Sequence, residues 1–483
     1  RSFAATQLDR IAQLGYDTLQ LMAVQEHPYY ASFGYHVSSF FAPTARFGTP
    51  DDLRGLIREA HARGIAVWMD LVHSHAVTNV REGINRFDGT EGQFFHTGPR
   101  GYHPSWDSRL FDYGNDRVVE FLLSNLRYWI EEFGFDGFRF DGVTSMLYRD
   151  HGIARTFGSY DDYFGDNVDE DALRYLQAAN ELVHELKPGA TTSAEDVSGM
   201  PGLARPVAEG GLGFDFRMAM GLPDAWGNLL RDVRDEQWLP SRIQEFLLNR
   251  RPDERHVAYL ESHDQCIVGD QSFAFRLMGD AMYTGMSKAV DDPRIDRGIA
   301  LHKLMRLLTF AAGGEAWLTF LGNEFGHPEW VDLPREGNHW SVDYARRQWG
   351  LARDPSLRYG ELERFEQAML GVLGDIGLPG GAFPEWTRSD DGRGVLAFHR
   401  GGWTFVANLH PERAWEGVEV PVARSADHRI VLNTDATEFG GFGRGALDGV
   451  FAWFMEDEAP HVRLYLPNRT ALVLAPVEPD SVD

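Results

Sequence analysis

Four short stretches place carboxylate, guanidinium and imidazole groups at spacings that chemistry could use. Residues 134–146 read GFDGFRFDGVTSM. Phe138 and Phe140 alternate there with Arg139 and Asp141, the period of a strand with apolar side chains on one face and charges on the other. Two charges on the face of a strand packed behind a helix must compensate each other or meet a ligand. A purely structural Arg–Asp pair is the competing explanation. Three further stretches weigh against it. DLVHSH carries Asp70, His73 and His75; SAEDVSGM carries Glu195 and Asp196; ESHDQ carries Glu261, His263 and Asp264. His73 and His75 suggest a metal pair, but no clear second set of ligands accompanies them, so no metal is expected. Carboxylates grouped around one arginine fit glycosyl transfer or hydrolysis. A retaining mechanism uses one ionised carboxylate as nucleophile and a second as acid and then base. An adjacent cation favours the ionised form of its neighbour. That makes Asp141 the nucleophile and leaves Glu195 as the acid, although chain order alone leaves the two interchangeable.

These stretches need a scaffold that gathers them. Strand patterns occur at 16–24 (YDTLQLMAV), 65–72 (IAVWMDLV), 137–140, 191–194, 212–218 (LGFDFRM), 257–260 and 316–321 (AWLTFL). Helical patterns alternate with them at 49–64, 116–133, 167–186 and 299–310, and Leu8, Ile11 and Leu14 mark another at the start. Residues 31–47 and 74–115 read as loops. Buried strands alternating with helices predict a parallel sheet wrapped by helices, at this length a (β/α)8 TIM barrel, with an open doubly wound sheet second. In such a barrel the site lies at the carboxyl ends of the strands, where all four stretches fall. Near residue 379 the texture changes. Short turn-separated strands at 395–399, 403–408, 430–432, 462–466 and 471–474 predict a separate C-terminal antiparallel β-sandwich. The expected domains are therefore 1–380 and 381–483.

Composition narrows the partner. A net charge of −26, from 46 basic against 72 acidic residues, opposes nucleic acid and anionic membranes and is compatible with a neutral polymer. The single cysteine, Cys266, excludes an internal disulfide framework and fits a reducing, cytoplasmic setting. No apolar run is long enough to span a membrane. Aromatic residues make up 13% of the chain, enough for sugar-stacking platforms beside a core.

DLVHSH, GFRFDGV, AED and ESHDQ, in this order, resemble the four blocks of the α-amylase superfamily of glycoside hydrolases. The flanking text is more specific. QLMAVQEHPYYASFGYHVSSFFAP, RGYHPSWDSRLFDYGN, SAEDVSGMPGL, YLESHDQCIVGD and FLGNEFGHPEW resemble the eukaryotic-type 1,4-α-glucan branching enzymes, and VLNTDATEFGG and LPNRTALVL are similar to that family's ending. The resemblance implies that Asp141 is the nucleophile, Glu195 the general acid/base and Asp264 a third carboxylate on the sugar hydroxyls. It implies that Arg139 positions Asp141, that His75 and His263 hydrogen-bond the same sugar, and that Tyr35 is a platform beneath it. Asp70 would support the site without reacting. Asp107 and Arg109 would line the donor or acceptor groove. No cofactor is implied. The implied reaction cleaves an α-1,4-glucan such as amylose or glycogen and rebuilds it with α-1,6 branches, the chain acting as a monomer.

Two departures from the family follow. No β-sandwich module precedes the barrel, and no residues match the first barrel strand. Residues 18–24 and 316–321 are then expected to flank a gap, leaving the polypeptide that starts at Arg1 poorly soluble or inactive while a version extended upstream folds. The rival readings are an α-amylase-type hydrolase and an inactive glucan-binding fragment.

Overall fold

The computed structural model describes residues 1–267, 271–328, 332, 334–341, 343–377, 383–445 and 449–477. The chain divides into two compact units, one of residues 1–220, 253–255 and 333–341, the other of 221–252, 256–332 and 342–483. The domain boundary expected at 380/381 lies outside the described residues. None of the described helices is long and apolar enough to cross a membrane.

The first unit is built on five parallel strands that neighbour one another in chain order: Thr18–Leu21, Ala66–Leu71, Gly137–Phe140, Thr191–Ala194 and Phe216–Met218. Register fixes the site before any side chain is considered. Asp70 lies opposite Arg139, and Arg139 lies opposite Ser193, two residues before Glu195. The strands are held in place by helices that the sequence punctuates clearly. Pro50–His61 opens on a capping box between Thr49 and Asp52 with Pro50 in its first turn. Asp116–Tyr128 is capped by Asn115 and runs on as a wider turn, Trp129–Phe133. That turn buries Trp129, Ile130 and Phe133 behind Gly137–Phe140, whose four residues are all buried. Glu170–Leu186 is capped by Asp169.

Two of the expected loops contain strands. Residues 31–47 include Ser39–Pro43, which pairs antiparallel with Gln25–Glu26 across a bulge. Residues 74–115 include Ala76–Val77, Tyr102–His103 and Ser108–Arg109, a small antiparallel sheet. Both are excursions from the strand ends, and both carry side chains to the site.

The second unit carries two more parallel strands, His256–Ala258 paired with Ala316–Trp317. The helix Pro293–Ala312 between them is buried almost all round, so its pattern is apolar without a polar face. Two of its buried cations are paired. Arg306 makes a two-pronged ion pair with Glu366 of the helix Tyr359–Asp375, and Lys303 donates to the carbonyls of Thr434 and Phe439. Two antiparallel sheets follow, six strands in the order Glu385–Asp390, Val395–Arg400, Trp403–Asn408, Thr470–Pro476, His428–Asn433, Val450–Phe451, and three in the order Trp415–Pro421, Ala459–Leu466, Phe454–Glu456. Val395, Val406, Leu472 and Leu474 of one sheet pack with Val418, Val420, Val462 and Leu464 of the other, which makes the module a sandwich.

Among the described residues the parallel strands thus number seven, one fewer than a closed (β/α)8 barrel needs. Thr18–Leu21 is paired on one side, by Ala66–Leu71, and is only half-buried along its length.

Candidate active site

The carboxyl ends of the first unit's strands bring Asp70, Arg139, Asp141 and Glu195 together. Arg139 is the hub. Its Nη1 donates to Asp141 Oδ1 at 2.9 Å and to Asp70 Oδ2 at 3.2 Å, and its Nη2 lies 2.9 Å from Glu195 Oε2. The guanidinium is 4% exposed, so each of these pairs acts at short range in a dry setting. Burial works against the charge, but Asp70, Glu195, Tyr35 and Asp141 outweigh it and hold the Arg139 pKa well above its ordinary value. This arrangement corrects one inference from sequence. Proximity to Arg139 does not separate Asp141 from Glu195, because the same cation reaches both at the same distance.

The backbone sets the two carboxylates. Asp141 N–H donates to Leu71 O, Glu195 N–H to Phe140 O, and Val143 N–H to Glu195 O, each at 3.0 Å. Gly142 N–H then donates to the Glu195 carboxylate at 2.8 Å. Both carboxylates retain some solvent access, 14% for Asp141 and 18% for Glu195, which a reacting group requires.

Asp70 is fully buried beneath them. It accepts from Gln20 Nε2 at 2.5 Å, Tyr35 OH at 2.6 Å and Arg139, so its remaining capacity is small. Tyr35 is tethered at its hydroxyl while its ring stays partly exposed, with the Arg139 guanidinium 6.0 Å from its centroid. Burial, with the Asp70 charge, pushes the Tyr35 phenol far up, so it remains a donor.

The imidazoles are occupied by protein partners. His75 Nε2 lies 2.7 Å from Tyr35 O and its Nδ1 2.9 Å from Ser74 Oγ. Burial, with His36 and His103 close by, lowers its pKa to about 3, so it is neutral. His73 is held between Tyr175 OH and Asn125 Oδ1 at 2.5 and 2.9 Å, leaving neither nitrogen for a ligand. Among the described residues no group of three or more His, Cys, Asp or Glu is placed to hold a metal ion.

Arg109 departs from its expected place. It is fully buried and donates to Asn85 Oδ1, Tyr102 OH and the carbonyls of Glu91 and His96, with its guanidinium 4.3 Å from the Tyr102 ring centroid. A side chain with no exposed surface cannot line a groove; Arg109 braces the 74–115 excursion from within. Asp107 is exposed, at φ 48°, and its charge acts on His36. Between these expectations the sequence reading missed Trp106. Its indole stacks on His103 at 3.8 Å and meets His75 at 5.1 Å. A Cβ on Gly142, next to Asp141, would come within 3.2 Å of it. Its signal was present, a tryptophan directly before Asp107 in a polar stretch. Asp196, grouped with Glu195 in the sequence, is placed differently. Fully buried, it accepts from Thr144 Oγ1, Ser198, Gly199 and Arg217 Nη2 and so fixes the loop that follows Glu195.

His263 and Asp264 belong to the second unit, at the start of the short helix His263–Ile267. His263 Nε2 lies 3.2 Å from Asp264 Oδ1, and Ser262 Oγ donates to Asp264 Oδ2 at 3.3 Å. Asp264 keeps 43% of its side chain exposed. Glu261, in contrast, is buried, holds Phe273 N–H at 2.7 Å and has its pKa raised by burial, so it is a fold-stabilising carboxyl and not a rim group. Cys266 is buried with its thiol near Asn323 Nδ2 and Glu261.

With this geometry in hand, comparison with known proteins is informative. The family model described as alpha amylase, catalytic domain, matches residues 4–110, and alpha amylase, C-terminal all-beta domain, matches 386–477. A 1,4-alpha-glucan-branching enzyme of Solanum tuberosum is 52% identical over 453 residues, covering 93% of this chain and 53% of that protein. Those of Felis catus and Dictyostelium discoideum are 50% and 48% identical, each covering 99% of this chain and 69% and 71% of the relative. The chain thus spans about half the length of the potato protein, 53%, and somewhat over two thirds of the other two. Among solved structures, an alpha-amylase from Geobacillus thermoleovorans complexed with acarbose superposes with a TM-score of 0.67 at 18% identity, over 98% of this chain and 91% of that one. An Anoxybacillus alpha-amylase gives 0.65 at 17%, over 98% and 90%. At such identities the structural likeness speaks to the fold.

Proposed function

Since the chain belongs to the 1,4-alpha-glucan-branching enzymes of the α-amylase family, we propose that it cleaves an α-1,4-glucan and transfers the released fragment to a 6-hydroxyl, forming an α-1,6 branch. One observation carries the chemistry: Asp141 and Glu195 share the two terminal nitrogens of Arg139. Retaining carboxylates stand about 5 Å apart, and two carboxylates bridged by one guanidinium fit that spacing.

In the first step an Asp141 oxygen forms a bond to the anomeric carbon while the C1–O4 bond breaks. Glu195 gives its proton to the departing O4, and the fragment with the former reducing end leaves. Arg139 steadies Asp141 on one side and lets Glu195 take up a charge on the other. In the second step Glu195 removes the proton of an acceptor 6-hydroxyl. That oxygen attacks the anomeric carbon and expels Asp141. Two inversions retain the α configuration. Asp264 and His263 are assigned to sugar hydroxyls, while at the carboxyl ends of the first unit's strands His75 reaches the bound ring once Tyr35 or Ser74 yields a bond, Tyr35 offers it an apolar face, and Asp107 contributes to the groove at its rim. Asp70 acts through Arg139 and Tyr35 as a positioning residue.

Transfer is distinguished from hydrolysis by product. Incubation with amylose followed by a debranching enzyme should release short linear chains absent from the untreated control. New reducing ends without any debranchable linkage would instead assign a hydrolase.

A further inference from the structure

An aromatic path leads away from the site to the surface of the first unit. It starts at Tyr148, buried directly after the helix Val143–Leu147 that follows Asp141. Ring centroids then step from Tyr148 to Phe157 at 4.8 Å, to Tyr163 at 5.4 Å, to Phe164 at 6.4 Å and to Tyr160 at 6.2 Å. The last two rings are nearly parallel, with 13° between their planes, and are 72% and 53% exposed for Tyr160 and Phe164. Two large aromatic rings held side by side in water form an apolar surface that is exposed among the described residues.

The surface is rigidly mounted. Gly158 N–H, Ser159 N–H and Ser159 Oγ all donate to Asp162 Oδ2, which sets the helix Tyr160–Phe164, and Arg155 pairs with Asp150 at 2.8 Å. It is also continuous with the catalytic rim. A Cβ on Gly199, in the loop after Glu195, would meet Tyr163 OH at 3.7 Å. The path therefore touches the loops that follow both Asp141 and Glu195.

We propose that Tyr160 and Phe164 form a second glucan platform, which stacks on the ring faces of an α-glucan segment outside the cleavage site. The assignment rests on the reading of an α-glucan as substrate. Charge selects among occupants. Asp161 and Asp166, on the same segment as the rings, are exposed, and Arg155, ahead of the helix, is engaged by Asp150. Such a border repels a polyanion and offers acceptors to sugar hydroxyls, while the rings match the apolar face of a neutral pyranose. A long chain that engages the cleft and the platform together gains effective concentration at the cleft.

The test is affinity electrophoresis of the protein in gels cast with and without glycogen, with thermal melts alongside. Wild type should be retarded. The double variant Tyr160→Ala/Phe164→Ala should lose retardation, its apparent Kd rising about fivefold to tenfold, the factor two stacking contacts supply. Its melting temperature should be unchanged, and Tyr160→Trp/Phe164→Tyr should restore binding. Phe87→Ala, at an exposed aromatic elsewhere on the same unit, should bind as wild type does. A double variant retarded as strongly as wild type overturns the platform and leaves the glucan reading standing. Wild type that is not retarded at all, and that builds no branches on amylose, brings down both. If the double variant instead alters sedimentation with retardation intact, the patch joins two copies of the chain and the platform is overturned.

Discussion

The N–H of Gly142 donates to the Glu195 carboxylate at 2.8 Å, so the residue after one reacting carboxylate fixes the other. Gly142 sits at φ 64°, in the left-handed region, and a Cβ there would lie 2.9 Å from Ser74 Oγ and 3.2 Å from the Trp106 ring. Gly142→Ala should therefore shift both carboxylates. We expect a loss of about a hundredfold in kcat, the scale of a 1 Å misplacement, with most of the stability retained. Steady-state kinetics beside a melt would measure both, and unchanged kcat would remove Gly142 from the positioning scheme.

Asp70 and Asp141 contact the same guanidinium but should respond differently. Asp70 is fully buried and serves three donors, so Asp70→Asn should cost about 3 kcal/mol of stability along with activity. Asp141→Asn should abolish activity with little change in melting, since Asp141 keeps solvent access. Urea unfolding of the two variants separates support from reaction.

Arg109→Ala should destabilise the protein by about 3 kcal/mol through loss of charge-assisted hydrogen bonds inside the 74–115 excursion. If Arg109 instead gripped substrate, its variant would melt normally and lose only glucan affinity.

Lys303 gives the second unit a pH dependence. Its ammonium is buried, donating to Thr434 O at 2.5 Å and Phe439 O at 2.7 Å. Burial lowers its pKa from 10.5 to about 7, while Asp435 and Glu361 pull upward. Between these values the unfolded chain holds a proton that the folded chain does not. The stabilising contribution is thus complete above the unfolded pKa and lost as pH falls through about 7, on the order of a few kcal/mol. Denaturant titrations across this window should show stability rising with pH, and Lys303→Met should flatten the slope. An unchanged slope in that variant would assign the dependence elsewhere.

Much of this was legible in the sequence, and the exceptions share a cause. Thr191–Ala194 and Trp403–Asn408 appear with the bounds their β-branched and apolar runs suggest, and Thr49, Pro50 and Asp52 announce their helix. Glu385–Asp390 and Trp415–Pro421 were missed because their partly or fully exposed positions include Glu, Arg and Asp, which break an apolar signal. Ser39–Pro43 hid in a stretch rich in glycine and aromatics. In the site, Arg139 beside Asp141 was visible because they stand two positions apart. The equal reach of Arg139 to Glu195 was not, because it depends on the pairing of Gly137–Phe140 with Thr191–Ala194. Arg109 misled for the same reason: its burial comes from Asn85, Glu91 and His96, which the chain brings back from a distance.

The central claim is that Asp141 forms a covalent bond to the glucosyl fragment while Glu195 handles the proton. Its most direct test is trapping with a fluorinated glucosyl donor, followed by peptide mapping by mass spectrometry. The account predicts a glucosyl ester on Asp141 alone, formed in wild type and absent from Asp141→Asn. A label on Glu195 would contradict it, because the carboxylates sharing Arg139 would then have exchanged roles.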